Sequence, residues 1–178
     1  MEQVILVDKN DNQIGLMEKL AAHRGSAYLH RAISVLLYRK KKRTVEVLLQ
    51  QRGKAKPLWP LYWADTTSTH PRDGESLTAC AVRRLKEEMG IQIEEKKLRV
   101  LFPLIYHAKY DENYSEREVD YILIGEWDGV PKINKFEAEK FLWAAWDNIK
   151  QNTGGPSTIY APWFILMFQS PVLNSALV

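Results

Sequence analysis

The chain contains one cysteine, Cys80, so no disulfide can form within it. No stretch approaches the roughly 20 consecutive apolar residues of a membrane span. The opening Met1-Glu2-Gln3 lacks the basic start and long apolar run of a secretory signal, which makes a soluble, cytoplasmic protein the default expectation. Charge of either sign is nearly balanced, and a net charge of +3 does not argue for a nucleic-acid partner. There is no internal repeat, low-complexity run or linker that would split the sequence. What is there is ordinary globular usage, 46% apolar and 26% charged over 178 residues. That is enough for one domain, residues 1–178, with a real core.

The chain in order predicts a strand at Val4–Val7, a polar turn at Asp8–Asn12 and a returning strand at Gln13–Leu16. Glu18–His23 reads as a short helical or irregular link ended at Gly25. Leu29–Tyr38 and Val45–Gln51 read as paired strands, with the five cations Arg39–Arg43 as a solvated tip. Leu98–Ala108 and Val119–Trp127 read as strands around a polar loop, Asp111–Ser115. Lys135–Phe141 reads as a helix start or an acidic-basic link, and Trp143–Trp146 as a short strand. Gly154-Gly155-Pro156 should break the chain, and Ala161–Phe168 should form an apolar terminal helix.

The organising stretch is Trp63–Ile91. It opens extended through Thr66-Thr67-Ser68-Thr69 and turns at His70-Pro71-Arg72-Asp73-Gly74, where Pro71 biases His70 away from the α region and Gly74 permits the turn. Ser76 suits an N-cap, and Gly90 suits the C′ position that ends a helix over Leu77–Met89. Ala81, Leu85 and Met89 recur at four-residue spacing, with Val82 beside them, to give one apolar face. Cys80 falls within this helix and reads as a small packing residue. Glu87 and Glu88 sit where the helix dipole disfavours negative charge, a sign that a cation would reverse. Arg83 and Lys86 read as surface charges. In Ser115-Glu116-Arg117-Glu118-Val119 the two carboxylates alternate at strand spacing and share a face. Spacing alone leaves two readings: a solvated strand edge, or a pair that needs a cation between its members.

Thr69, Glu75, Arg83, Arg84, Leu85, Glu87, Glu88, Gly90 and Ile91 fall on the positions of the Nudix box. Two depart from it: Thr69 stands for the first glycine and Arg84 for a glutamate that Nudix hydrolases use to hold magnesium. A guanidinium cannot ligate a metal. With His70-Pro71 and Gly74-Glu75-Ser76, the stretch resembles the type 1 isopentenyl-diphosphate isomerases of the same superfamily. The resemblance implies an α/β fold, a single Nudix-type domain with a mixed β-sheet sandwiched between helices.

It also implies a site. His23, His30, His70, Glu116 and Glu118 match the family's divalent-metal ligands, a donor set that suits zinc or manganese. His107 matches no ligand position and reads as structural. Glu88 matches the residue that shares a magnesium ion with the substrate diphosphate. Arg52, Lys56 and Arg84 match the diphosphate-binding cations. Glu118 matches the proton-shuttling carboxylate, Tyr106 its hydrogen-bonding neighbour and Trp163 the ring that faces a carbocation. The bland readings stand beside these: Arg84 as an i,i+4 partner of Glu88, Trp163 as helix packing. At the family's second acid/base position, a cysteine, this chain has Ser68, whose hydroxyl is far less acidic than a thiol. The implied activity is isomerisation of isopentenyl diphosphate to dimethylallyl diphosphate, weakened or altered by Ser68. The alternatives are a Nudix hydrolase of a diphosphate or a silent diphosphate-binding protein. The implied partner is a small isoprenoid diphosphate, with no nucleic acid and no membrane span, and the protein is expected as a monomer or weak homodimer.

Overall fold

A twelve-residue strand, β3 (His30–Lys41), is the axis of the molecule. Its alternating side chains enter two different cores. Ile33, Val35 and Leu37 join one, while Leu36 joins the other, as the period-2 geometry of a strand requires. The computed structural model describes residues 2–152 and 159–177. Around β3 the described residues form a nine-stranded mixed sheet. The antiparallel hairpin of β1 (Gln3–Val7) and β2 (Gln13–Glu18) flanks it, with α1 (Lys19–Ala22) following. β4 (Thr44–Arg52) pairs antiparallel with it, and β5 (Trp63–Ala64) adds to β4. β6 (Thr67–Thr69) pairs with its first half. β7 (Leu98–Lys109) and β8 (Ser115–Glu126) form a long hairpin whose second strand lies parallel to β3. β9 (Ala138–Ala145) closes the far edge against β4.

Helix α2 (Leu77–Met89) covers one face of the sheet with Cys80, Ala81, Leu85 and Met89. Ser76 accepts from the amide of Ala79 at 3.1 Å, as an N-cap should. Gly90 takes φ +64° and donates to Lys86. A Cβ on Gly90 would come within 2.6 Å of the Lys132 carbonyl, so the helix stops where only glycine fits. The other face is covered by α3 (Trp146–Asn152), α4 (Pro162–Phe168) and α5 (Pro171–Leu177), through Trp146, Trp163, Phe164, Met167 and Leu173. No helix among the described residues is long and apolar enough to cross a membrane.

Several sequence expectations change here. Lys135–Phe141 is a turn that leads into β9, not a helix start: Leu142, Phe141 and Ala138 pair with Leu49, Gln50 and Arg52, so sheet pairing overrides the local mixture of charges. Trp146 opens α3 instead of ending a strand. The cationic tip is shorter than its composition suggests. β3 runs to Lys41, and Arg39 pairs with Glu46 and Asp128 while lying 4.3 Å above the Trp143 ring. Gly154-Gly155-Pro156 lies outside the described residues.

Candidate metal centre and diphosphate cavity

One face of β3 and β8 changes character along its length. On β8 the residues facing one way are Glu116, Glu118 and Asp120, then Ile122 and Ile124 of the core. On β3 the matching series is His30, Ala32, Ser34 and Leu36. Register fixes the polar end: His30 lies opposite Glu118 across the parallel pair, and Tyr106 lies opposite Glu118 across β7–β8. Directly opposed residues project to the same side. Three adjacent strands thus deliver an imidazole, a carboxylate and a phenol to one level of the sheet. His70 arrives from the end of β6, and His23 from the end of α1, where its carbonyl is held by the Ser115 amide at 2.9 Å.

The three rings converge. His70 Nε2 is 3.1 Å from Glu118 Oε1, His30 Nε2 is 3.3 Å from it and His23 Nε2 is 3.9 Å from it. His23 Nδ1 donates to the Lys19 carbonyl and His30 Nδ1 to the Tyr28 carbonyl, each at 2.7 Å. Those bonds place the ring protons on Nδ1 and leave the Nε2 lone pairs aimed inward, the outer-shell arrangement that orients metal-ligating histidines. One donor atom from each of His23, His30, His70 and Glu118 lies within 4.8 Å of the others, and all four residues are buried. Buried lone pairs and a carboxylate converging on one point fit a divalent cation.

Glu116 stands just outside this group. Tyr106 Oη donates to Glu118 Oε2 at 2.7 Å and lies within hydrogen-bond distance of Glu116 Oε2, at 2.9 Å, so one hydroxyl bridges the two acids. Burial, then the charge of Glu118, pushes Glu116 up to about 8. Burial also acts to raise Glu118, but the three imidazoles that face it outweigh burial and hold that carboxyl well below the ordinary range. Burial drives His70 well below its usual value, which favours the neutral ring that a metal needs.

Beside this cluster opens a cavity of about 390 Å³. Glu118, Tyr106, Ser68 and Trp163 line it, and so do Arg52, Lys56 and Arg84. Arg52 donates to the carbonyls of Leu58 and Trp59 and lies 5.0 Å from the Trp163 ring centroid. It thereby holds a loop in which Trp59 and Leu61 adopt positive φ. Lys56 pairs with Glu137, and Arg84 reaches Glu88 at 2.5 Å, Glu87 at 3.0 Å and Glu137 at 3.4 Å. Glu88 is buried beneath Arg84, with its second oxygen taken by Gln50 at 3.0 Å. The cation that offsets the dipole at this helix end is therefore a guanidinium, and Glu88 is not part of the histidine cluster.

Two further readings change. Arg83 is not a free surface charge, since its guanidinium pairs with Glu75 at 2.7 Å and is mostly covered. His107 is exposed on the outer side of β7. Cys80 is packed in the core, and burial pushes its thiol up to about 12. Sequence reasoning missed Asp120, although it continues the same alternation as Glu116 and Glu118. Ser34 Oγ donates to it at 2.8 Å, and burial, then the charge of Glu118, raises its carboxyl well above the usual range. It also missed Lys19 and Glu137, which line the cavity, and Asp65, which lies behind Ser68.

The NUDIX domain profile matches residues 28–163 of the chain. DR0079 from Deinococcus radiodurans superposes with a TM-score of 0.73 at 14% identity, covering 95% of this chain and all of that one. The NUDIX domain of Shewanella oneidensis NrtR, solved with ADP ribose, gives 0.63 at 14% identity over 84% of this chain and 88% of its own. Both show the shared fold, which is that of a NUDIX-domain protein with a mixed sheet between helices. Sequence narrows this. The chain is 42% identical over 147 residues to Isopentenyl-diphosphate Delta-isomerase 1 of Aromatoleum aromaticum, covering 82% of this chain and 79% of the relative. It is 36% identical over 169 residues to the Isopentenyl-diphosphate Delta-isomerase of Photobacterium profundum, covering 94% and 93%. The chain belongs to the isopentenyl-diphosphate Delta-isomerase family within the NUDIX proteins.

Proposed function

We propose that the protein isomerises isopentenyl diphosphate to dimethylallyl diphosphate, in the cytoplasm and as a step of isoprenoid synthesis. The observation that carries this reading is the convergence of three imidazoles on Glu118, a carboxylate that also lines the cavity holding Arg52, Lys56 and Arg84. A hydrolase of the general Nudix kind is disfavoured because Arg84 occupies a position where a carboxylate would hold magnesium.

The reaction moves a double bond by one carbon. A proton is added at the alkene terminus, a tertiary carbocation forms, and a proton leaves the neighbouring carbon. His23, His30, His70 and Glu118 would hold zinc or manganese, with Glu116 beside them. Such an ion supplies positive charge that fixes Glu118 and tunes its acidity. Glu118 exchanges a proton with substrate carbon. Tyr106 stabilises the carboxylate that remains, through the 2.7 Å bond to Oε2. The indole of Trp163 offers the cation an aromatic face without a nucleophile, an attraction worth on the order of 2 kcal/mol in a dry site. Arg52, Lys56 and Arg84 receive the diphosphate oxygens. Glu88 would hold a magnesium ion accompanying that group, with Arg84 turned from Glu88 to the phosphate oxygens.

Incubating the purified protein with isopentenyl diphosphate, manganese and magnesium in heavy water tests the proposal. Dimethylallyl diphosphate carrying deuterium is the expected product. Release of phosphate or pyrophosphate would establish hydrolysis in its place, and unchanged substrate would leave a silent binding protein.

A further inference from the structure

Ser68 is the weak point of that mechanism. It lies at an acid/base position, yet an isolated hydroxyl does not readily exchange a proton with carbon. In this structure it is not isolated. Ser68 Oγ donates to Asp65 Oδ1 at 2.7 Å. Trp163 Nε1 donates both to Asp65 Oδ1, at 3.0 Å, and to Ser68 Oγ, at 2.9 Å. The Val35 amide holds the other oxygen, Asp65 Oδ2, at 3.2 Å. Asp65 has no accessible surface, while Ser68 is half-buried and lines the cavity. The carboxylate therefore meets the cavity through two lining side chains, Ser68 and Trp163, and of their two contacting atoms the serine oxygen is the one that can both take and pass on a proton.

Resting on the isomerase reading, we infer that Asp65 acts as a positioning residue and proton reservoir behind Ser68, so that the hydroxyl relays protons between substrate carbon and a buried carboxylate. The step balances. As the C–H bond breaks, its electron pair becomes the new π bond and the proton passes to Ser68 Oγ. The original Ser68 hydroxyl proton moves to Asp65 Oδ1. Glu118, loaded with a proton from water before the step, delivers it to the alkene terminus, and Asp65 returns its proton to water once product leaves the cavity. No oxidant or reductant is involved. The reverse reaction runs the same atoms backwards.

The surroundings suit such a role. Every hydrogen bond to Asp65 named above comes from a neutral donor. Burial, with the nearby charge of Glu88 added, pushes its carboxyl up to about 6, against the lowering hydrogen bonds of Ser68 and Trp163. Asp120, the other buried acid near it, also carries a raised carboxyl. A carboxyl poised there can hold and release a proton near neutrality. The bland reading is a structural tie: an acid that accepts from a strand amide on one oxygen and from Ser68 and Trp163 on the other. Asparagine at this position would turn an NH₂ toward either the Val35 amide or Ser68, so a loss in Asp65→Asn alone would not separate the two readings.

Backgrounds separate them. Asp65→Asn should lower kcat by about a hundredfold or more, the scale of a lost acid/base contribution, while KM stays within about twofold. Ser68→Cys installs a group that exchanges protons by itself. In that background the Asp65→Asn change should cost less than about fivefold. Ser68→Ala, a small truncation, should match Asp65→Asn, and the double variant should fall no further. The kcat–pH profile of the parent should lose its acidic limb near 6 in Asp65→Asn. Equal losses from Asp65→Asn in the Ser68 and Ser68→Cys backgrounds would make Asp65 a structural tie, and full activity in Ser68→Ala would remove the relay. A parent protein that makes no dimethylallyl diphosphate would overturn the isomerase reading and this inference with it. An active parent with insensitive variants would overturn this inference alone.

Discussion

The Nε2 atoms of His30 and His70 stand 3.1 Å apart, both directed at Oε1 of Glu118. Two imidazole nitrogens at that spacing share at most one proton, and His30 has placed its own on Nδ1, against the Tyr28 carbonyl. A divalent ion would satisfy all of these atoms together. The protein should therefore bind one zinc or manganese ion per chain at this centre. Saturation at about a hundred times Kd should add roughly 2.7 kcal/mol of stability. His30→Ala should weaken binding by more than about a hundredfold, beyond what loss of an outer-shell partner costs. Calorimetric titration of both proteins after chelation checks this, and unaltered affinity in the variant would place the ion elsewhere.

Glu118 and Tyr106 make a second, separable pair. Glu118→Gln keeps the shape but removes the group proposed to exchange protons, so turnover should drop by roughly a thousandfold or more, within the usual range for a lost acid/base. Tyr106→Phe removes only the hydrogen bond at 2.7 Å to Glu118 and that at 2.9 Å to Glu116. Its loss should be intermediate, about tenfold to a hundredfold, for hydrogen bonds to charged groups of roughly 1.5–3 kcal/mol. Deuterium incorporation from heavy water, followed by NMR, reads both. If Tyr106→Phe proved as damaging as Glu118→Gln, the phenol itself would have to be moving the proton.

Much of this was legible before any coordinates. The helix Leu77–Met89 announced itself by its N-cap, its apolar spacing and Gly90, all local signals. Glu116 and Glu118 shared a face because strands alternate. What could not be read locally was pairing. Only the parallel register of β3 and β8 puts His30 opposite Glu118, 88 positions away in number. The same holds for β9, whose sequence resembles a link until Ala138–Ala145 is seen against β4. Asp65 gave no sign because nothing in Ala64-Asp65-Thr66 distinguishes a buried acid from a turn. Its meaning comes from Trp163, far along the chain.

Glu137 ties down two of the cations proposed to receive the diphosphate. It pairs with Lys56 and with Arg84. Burial acts to raise its carboxyl, but the charge of Lys56 outweighs that and lowers it, so it is ionised at neutral pH. A bound diphosphate meets a like charge there and must share the cations. Glu137→Gln should lower KM by about threefold to tenfold, or roughly 0.7–1.4 kcal/mol, with kcat little changed. Lys56→Ala should raise KM instead. A rise in KM for Glu137→Gln would mean that the carboxylate is needed to order Lys56 and Arg84 for binding.

Stability against acid offers a test far from the chemistry. Arg83 grips Glu75 through two bonds, at 2.7 Å and 2.8 Å, linking the turn before α2 to the middle of that helix. The Arg83 hydrogen bond, against some burial, lowers the Glu75 carboxyl from 4.5 to about 2. The folded value lies below the unfolded one, so the unfolded chain binds the proton more readily. The contribution is therefore complete above pH 4.5 and is lost as pH falls through about 2. Both groups keep some contact with water, so screening cuts the full linkage value to about 1 kcal/mol. Glu75→Gln should then lower Tm near neutrality by roughly 2–4 °C. That gap should narrow as the pH drops below 4.5 and close near 2. Thermal melts of both proteins across this range provide the measurement. A gap that persists at the acid end would trace the loss to packing around Glu75, with the ion pair contributing nothing.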